Sequence, residues 1–252
     1  MILIVLLSGC KIVDAPEDLE SLVVFGFVHF EDDPSFLKQT ATGLLPLIEL
    51  HREALSEGYR VADLTATDLE GAGIDAPVEG GILGAVGLVG YHNRTTPVID
   101  AISRPDKAAM FPDNYLAYEL RRTSDRACFL DATCDRLDQT AFERTKVVLL
   151  GEAERTFDIA YRSLLLDEGT FTFVRQITPE PMSFSTGLAT VHQQYSFVML
   201  FDEGTSAQRI EAFWVDAEIL GLDVPDSYAV DQAVSAMADQ AERVDAWIDT
   251  QP

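Results

Sequence analysis

Two stretches carry the strongest helical pattern in the chain. Leu37, Ala41, Leu44, Ile48 and Leu55 recur at helical spacing behind Asp33-Pro34, a capping residue followed by one whose fixed φ suits a first turn, and the run closes at Gly58. A bend is expected at Pro46. Near the C-terminus, Val230, Val234, Met237, Ala241, Val244 and Ile248 form an apolar stripe behind Pro225-Asp226-Ser227, with Asp231, Asp239, Glu242, Asp245 and Asp249 largely off it. Ser21 to Phe30, rich in Val and Phe, reads as a strand or the start of a buried helix, and periodicity does not decide between them. Residues 63–81 mix Asp, Gly, Pro and Thr and read as an irregular connection.

Between the helices the pattern is that of strands. Ile82 to Asn93 is strand-like, and Thr96 to Phe111 is helical in part, restricted by Pro97 and Pro105. Asn114 to Arg122 alternates, with Leu116, Tyr118 and Leu120 on one face and Tyr115, Ala117 and Glu119 on the other. A hairpin is expected at the Cys128 to Cys134 loop. Further strands are expected over Thr145 to Leu150, Thr156 to Leu165, Thr170 to Ile177, Tyr195 to Phe201 and Arg209 to Ile219, with turns such as Asp167-Glu168-Gly169 and Asp202-Glu203-Gly204. Phe171, Phe173 and Arg175 share a face, as do Tyr195, Phe197, Met199 and Phe201. The sum is a meander of antiparallel strands.

Read from Ile82 to the end, this order of strand, helical insertion, antiparallel strands and long C-terminal helix is similar to the helix-grip architecture of the START-like, or Bet v 1-like, superfamily, which includes polyketide-cyclase-like domains. The segment Tyr195 to Asp249 carries most of the resemblance, which is one of element order without a diagnostic motif. It implies a curved sheet wrapped around the last helix, with a space between them that often holds an apolar ligand. The expected fold is therefore α+β: a curved antiparallel sheet of about six to seven strands packed on a long C-terminal helix. The START-like domain is expected over residues 59–252, with an extra strand and helix over 21–58 that cap one cavity mouth or pack on the outside.

Met1 to Leu7 is wholly apolar and runs directly into Ser8, Gly9 and Cys10. This resembles the bacterial lipobox, which implies a diacylglycerol on the Cys10 sulfur, cleavage before it, a leader remnant over residues 1–9 and a tether over 10–20. Lys11 stands where Asp would be the usual inner-membrane retention signal, so the resemblance favours the outer membrane of the cell envelope. Cys128 and Cys134 are spaced to close a small loop, and a disulfide there suits an oxidising compartment.

Charge narrows the partners. Lys and Arg total 18 against 42 Asp and Glu, giving a net charge of -24 that repels phosphate backbones and disfavours nucleic-acid binding. The sequence holds no metalloprotease, phosphate-loop, nucleophile-elbow or calcium-loop motif, and no metal or cofactor is implied. Gly84, Gly87 and Gly90 recur within a strand and read as close-packing positions. His29, His51, His92 and His192 are scattered, although His92 and His192 sit at strand ends where an imidazole can enter a cavity. Arg175 is a cation among aromatic strand positions and demands a partner such as Glu119 or Asp216, or an anionic headgroup.

Tyr118, Arg175, His192, Tyr195 and Trp214 are thus the candidate ligand-binding residues. The leading functional expectation is a membrane-tethered, non-catalytic lipoprotein that encloses an apolar or amphipathic small molecule such as a lipid, sterol or polyketide. A cyclase- or hydrolase-like enzyme would instead require His192, Tyr195 and Arg175 to converge in one pocket. A structural or partner-binding surface lipoprotein, with a protein partner that the sequence does not specify, would show an apolar patch in place of a cavity.

Overall fold

The computed structural model describes residues 13–78, 81–147, 149–178, 180–220 and 226–251, apart from the side chains at 226, 228 and 229. The lipobox and Cys10 lie outside the described residues.

The expected helix-grip arrangement is what the chain forms. Among the described residues nine strands, β1 (Tyr59–Leu64), β2 (Ile82–Tyr91), β3 (Tyr115–Thr123), β4 (Arg136–Val147), β5 (Gly151–Leu166), β6 (Gly169–Thr178), β7 (Met182–Ser183), β8 (Ala189–Glu203) and β9 (Ser206–Ile219), make one curved sheet. Their order is β1-β2-β9-β8-β6-β5-β4-β3, with β7 paired to β8, and every pairing is antiparallel. β5, β6, β8 and β9 are successive hairpin-like neighbours, whereas β2 joins β9 across the whole intervening meander. Among the described residues six α-helices accompany the sheet, α1 (Leu19–Val28), α2 (Pro34–Glu57), α3 (Ala66–Gly71), α4 (Thr95–Ile102), α5 (Arg126–Leu130) and α6 (Asp226–Ile248), with a 3-10 turn at Lys107–Ala109.

Period-two alternation sends each strand's side chains to two faces, and here both faces are covered. On one face, Phe171, Phe173, Tyr195, Phe197, Met199, Ile210, Ala212 and Trp214 pack under α1 and α2 with Leu22, Phe27, Leu37 and Leu44. On the other, Phe157, Ile159, Tyr161, Val174, Val198 and Leu200 belong to a second core with α4 and with Ala241 and Val244 of α6. The protein is therefore three layers, helix pair on sheet on helix.

The N-terminal segment departs from expectation. Residues 21–28, left open between strand and helix and counted as a strand in the domain plan, are helical: α1 is capped by Asp18, whose carboxylate accepts the Ser21 N–H at 2.8 Å, and it buries Leu19, Leu22, Val23, Phe25 and Phe27 between α2 and the sheet. A helix buried on most sides shows no apolar stripe, which is why its period was unreadable. α3 and the last two residues of β1 occupy ground read as irregular; Thr65 and Asp68 start α3 with a reciprocal capping box. The backbone of α2 departs from helical dihedrals at His51 (φ -113°, ψ 15°), one turn beyond Pro46.

Glycines on β2 set how closely the layers approach. A Cβ on Gly87 would lie 3.1 Å from the Val234 Cγ2 and 3.2 Å from the Met237 Sδ of α6, so this position lets α6 rest directly on the strand. On the opposite face a Cβ on Gly84 would collide with the Trp214 indole, whose Nε1 donates to the Ala62 carbonyl at 3.0 Å. The C-terminal end of α6 is fixed by Asp245, a buried carboxylate that accepts the His92 N–H at 2.9 Å and the Asn93 Nδ2 at 2.9 Å.

Candidate functional site

Along each central strand the positions facing α6 switch from apolar to polar part-way. On β9, Arg209 and Glu211 precede Phe213; on β8, Gln194 and Ser196 precede Val198 and Leu200; on β6, Gln176 follows Val174. Antiparallel register sets Gln176 opposite Ser196, and sets Arg209 and Glu211 of β9 opposite Leu200 and Val198 of β8, so polar and apolar positions alternate across the strands. The polar positions line a cleft of ≈ 470 Å³ between the sheet and α6, a volume suited to a small molecule. Phe111, Phe157, Met182, Phe184, Phe213 and Met237 form its apolar wall, and Ala233 and Ala236 present little bulk on the helix side. A second depression of ≈ 470 Å³, around Thr95, Phe129, Gly169 and Asp202 near the strand turns, lacks comparable buried charge.

Four of the charged residues lining the cleft, Lys107, Glu143, Arg209 and Glu211, are buried to a degree that demands partners. Glu143 on β4 is 2% exposed and accepts the Arg155 Nε of β5 at 2.5 Å, while the Arg155 Nη1 donates to Gln194 Oε1 at 2.6 Å. Arg209 is 8% exposed; it pairs with Glu211 and donates to Gln240 Oε1 at 2.7 Å and to the Tyr91 hydroxyl at 3.1 Å. Several atoms of this network still have no partner, namely the Glu143 Oε2, the Arg209 Nε and the Tyr118 hydroxyl. Lys107, projecting from the 3-10 turn, is also buried and stands over the Tyr118 ring at 5.8 Å. Burial pulls its amine down to about 8; Glu143 opposes that shift, while Arg209 and Arg155 add to it. The Tyr115 phenol beside it is pushed upward by burial and then by the Glu143 carboxylate.

The residues singled out from the sequence scatter around this cleft. Tyr118 lies on its side of the sheet, behind Tyr115 in an edge-to-face pair at 5.8 Å. Arg175, Tyr195 and Trp214 face the opposite way, beneath α1 and α2. Arg175 finds neither Glu119 nor Asp216 but Glu31, its Nη2 donating to Oε1 at 2.6 Å, and it stacks near Phe30 at 5.0 Å. Burial lowers its pKa and Glu31 offsets part of that. The Tyr195 hydroxyl donates to Gln193 Oε1 at 2.8 Å; burial, then Asp216, pushes it up to about 12. His192 is half exposed, 3.9 Å from Glu218. His192, Tyr195 and Arg175 therefore share no pocket, and His92 lies at the surface with its ring nitrogens 3.0 Å from Asp245 and from Asp249.

The faces were exchanged because an aromatic set on one face of a strand reads as lining a cavity, whereas here the aromatic face is the one sealed by α1 and α2. A signal was present for the residues that do line the cleft: Arg209 and Glu211 are opposite charges two apart on an apolar strand, hence on one face. Cys128 and Cys134 form the expected disulfide with Cα atoms 5.4 Å apart, but the loop between β3 and β4 contains α5 in place of a tight hairpin.

No family model matches the chain, and no curated protein matches it. Among solved structures it is similar to a STAR-related lipid transfer protein from Xanthomonas axonopodis, at 13% identity over 69% of this chain and 90% of that one with a TM-score of 0.47. It is also similar to the lipid transfer and protein localization domain of human StarD13, at 12% identity over 83% and 96% with a TM-score of 0.44. Human StAR-related lipid transfer protein 5 is similar at 11% identity over 83% and 100%, with a TM-score of 0.36.

Proposed function

We propose that this protein binds an amphipathic small molecule in the cleft between its sheet and α6. The observation that carries the reading is the mixed lining of that cleft: aromatic and Met side chains together with a charged cluster of buried Lys107, Glu143, Arg209 and Glu211 and half-buried Arg155, in which the Glu143 Oε2 and the Arg209 Nε have no partner. A purely apolar ligand would leave those atoms orphaned, and a purely polar one would leave the aromatic wall wet. Burying a methylene contributes about 0.8 kcal/mol, so a tail of ~six methylenes supplies roughly 5 kcal/mol. Micromolar affinity needs about 8 kcal/mol, so the polar end must contribute the remainder.

Extraction of protein purified from its native envelope, followed by mass spectrometry, is expected to yield an enriched amphiphile. Ala233→Trp, which fills the cleft from α6, should abolish displacement of a fluorescent apolar probe while leaving the thermal transition within a few degrees of wild type. Undiminished probe binding by that variant would remove the support for the cleft.

The same reading places the domain at a membrane through lipid on Cys10, on the strength of Leu7-Ser8-Gly9-Cys10. Expressed in a bacterial host with labelled palmitate, the full chain should take up label and partition into detergent, and Cys10→Ser should do neither. An unlabelled wild-type chain would sink the tether.

A further inference from the structure

We propose that the polar end of the bound amphiphile is a carboxylate, seated at Lys107 beside Arg155 and Arg209. The inference rests on the cleft being the ligand site and adds the chemistry of the headgroup. Cations outnumber carboxylates in the buried part of the cleft: Arg155 is matched by Glu143 and Arg209 by Glu211, and among the described residues Lys107 has no ion pair. Glu143 is the strongest attraction Lys107 feels, yet it stays outside ion-pair distance, committed to Arg155. A buried ammonium without a counterion is costly, and so is a buried guanidinium N–H without an acceptor, as at the Arg209 Nε. A single carboxylate entering the cleft supplies the missing counter-charge, and its second oxygen can accept from a neighbouring donor. The free Glu143 Oε2 is the opposing feature, since a hydroxyl head could donate to it.

The choice also makes a statement about protons. The Lys107 amine is pulled down to about 8, so above that pH the empty protein holds it largely neutral. A carboxylate placed beside it favours the charged form, and binding then takes up a proton. The groups facing Lys107 are Tyr115 and Tyr118 on β3, Glu143 on β4, Arg155 on β5, Arg209 and Glu211 on β9, and Asp239 and Arg243 on α6. Burial raises both phenols further from pH 8.5.

The test is calorimetric titration of the purified protein with decanoate, decanol and decyl phosphate. Decanoate is expected to bind at least tenfold more tightly than decanol, and at pH 8.5 its apparent enthalpy should change with the buffer's ionisation enthalpy in the sense of proton uptake. Lys107→Met should lose at least tenfold for decanoate and nothing for decanol, with an unfolding transition showing that the variant is folded. Lys107→Arg should keep decanoate binding but lose the proton uptake. Equal binding of decanol and decanoate, tighter binding of decyl phosphate, or indifference to Lys107→Met would overturn the carboxylate while leaving the cleft intact. If none of the amphiphiles bound, the cleft reading itself would fall.

Discussion

Lys107 shows how a single residue can be costly to a fold and still belong to it. Its amine lies at about 8 when folded and at 10.5 when free, so between those values the unfolded chain holds a proton that the folded chain has released, and stability rises with pH across that window. Below pH 8 the folded state carries the full penalty, which for a displacement of that size is about 3 kcal/mol. Lys107→Met should therefore stabilise the protein at pH 7 by about 2–3 kcal/mol in urea unfolding, with the advantage shrinking as the pH rises from about 8 towards 10.5. Equal stability of the two proteins at pH 7 would contradict the burial on which the site depends. At this scale the sequence was half legible. Arg175 stood out as a cation among aromatics, and its face was read correctly with Phe171 and Phe173, but its partner Glu31 comes from the turn after α1, which no periodicity could bring there. Lys107 had no pattern at all, because a residue on a 3-10 turn between two prolines and a strand offers no face to read.

At the scale of elements, legibility followed exposure. α2 and α6 each keep a solvent face and announced themselves by their stripes, as did the aromatic alternation of β6 and β8. α1 and β1 were missed or left open because the first is buried on most sides and the second is a short strand bounded by Gly58 and a capped turn. The contact between α1 and the sheet is close enough to test. A Cβ on Gly26 would come 2.7 Å from the Phe197 Cε1 and 2.8 Å from the Thr40 Cγ2, and both residues are almost fully buried. Replacing a mid-helix glycine by alanine ordinarily gains about 1 kcal/mol of helix propensity. Overpacking against an immobile ring costs about 1–3 kcal/mol, so the clash wins. Gly26→Ala should lower the urea midpoint, by roughly 1 kcal/mol in stability, and a higher midpoint would show that α1 is not seated as described.

For the molecule as a whole, the helix-grip plan was readable because it depends on element order, and the three-layer form was not, because it depends on which sheet face α1 and α2 choose. Both faces being covered also explains the exchange of site residues: alternation distinguishes two faces only when one of them is wet. The overall charge of -24 adds a tension of its own, since the field of the surface opposes the approach of an anion while the buried floor of the cleft attracts one. Over distances beyond about 8 Å, physiological salt screens the first effect, whereas the second acts at contact inside the protein.

The adjacency of β2 and β9 reaches further than the shape of the sheet. Leu83 to Tyr91 pair with Val215 to Ala207, so an early strand must wait for the last described one before its ladder can close. A chain emerging from its N-terminus can pair β2 with β1 on one side, but the other edge of this apolar, glycine-rich strand stays open until β9 is delivered, and closing so long a loop makes the final docking slow. The delay has a consequence for the site: the sheet cannot lock shut on a partial chain, and the cleft comes into being only when the last strand and α6 arrive together.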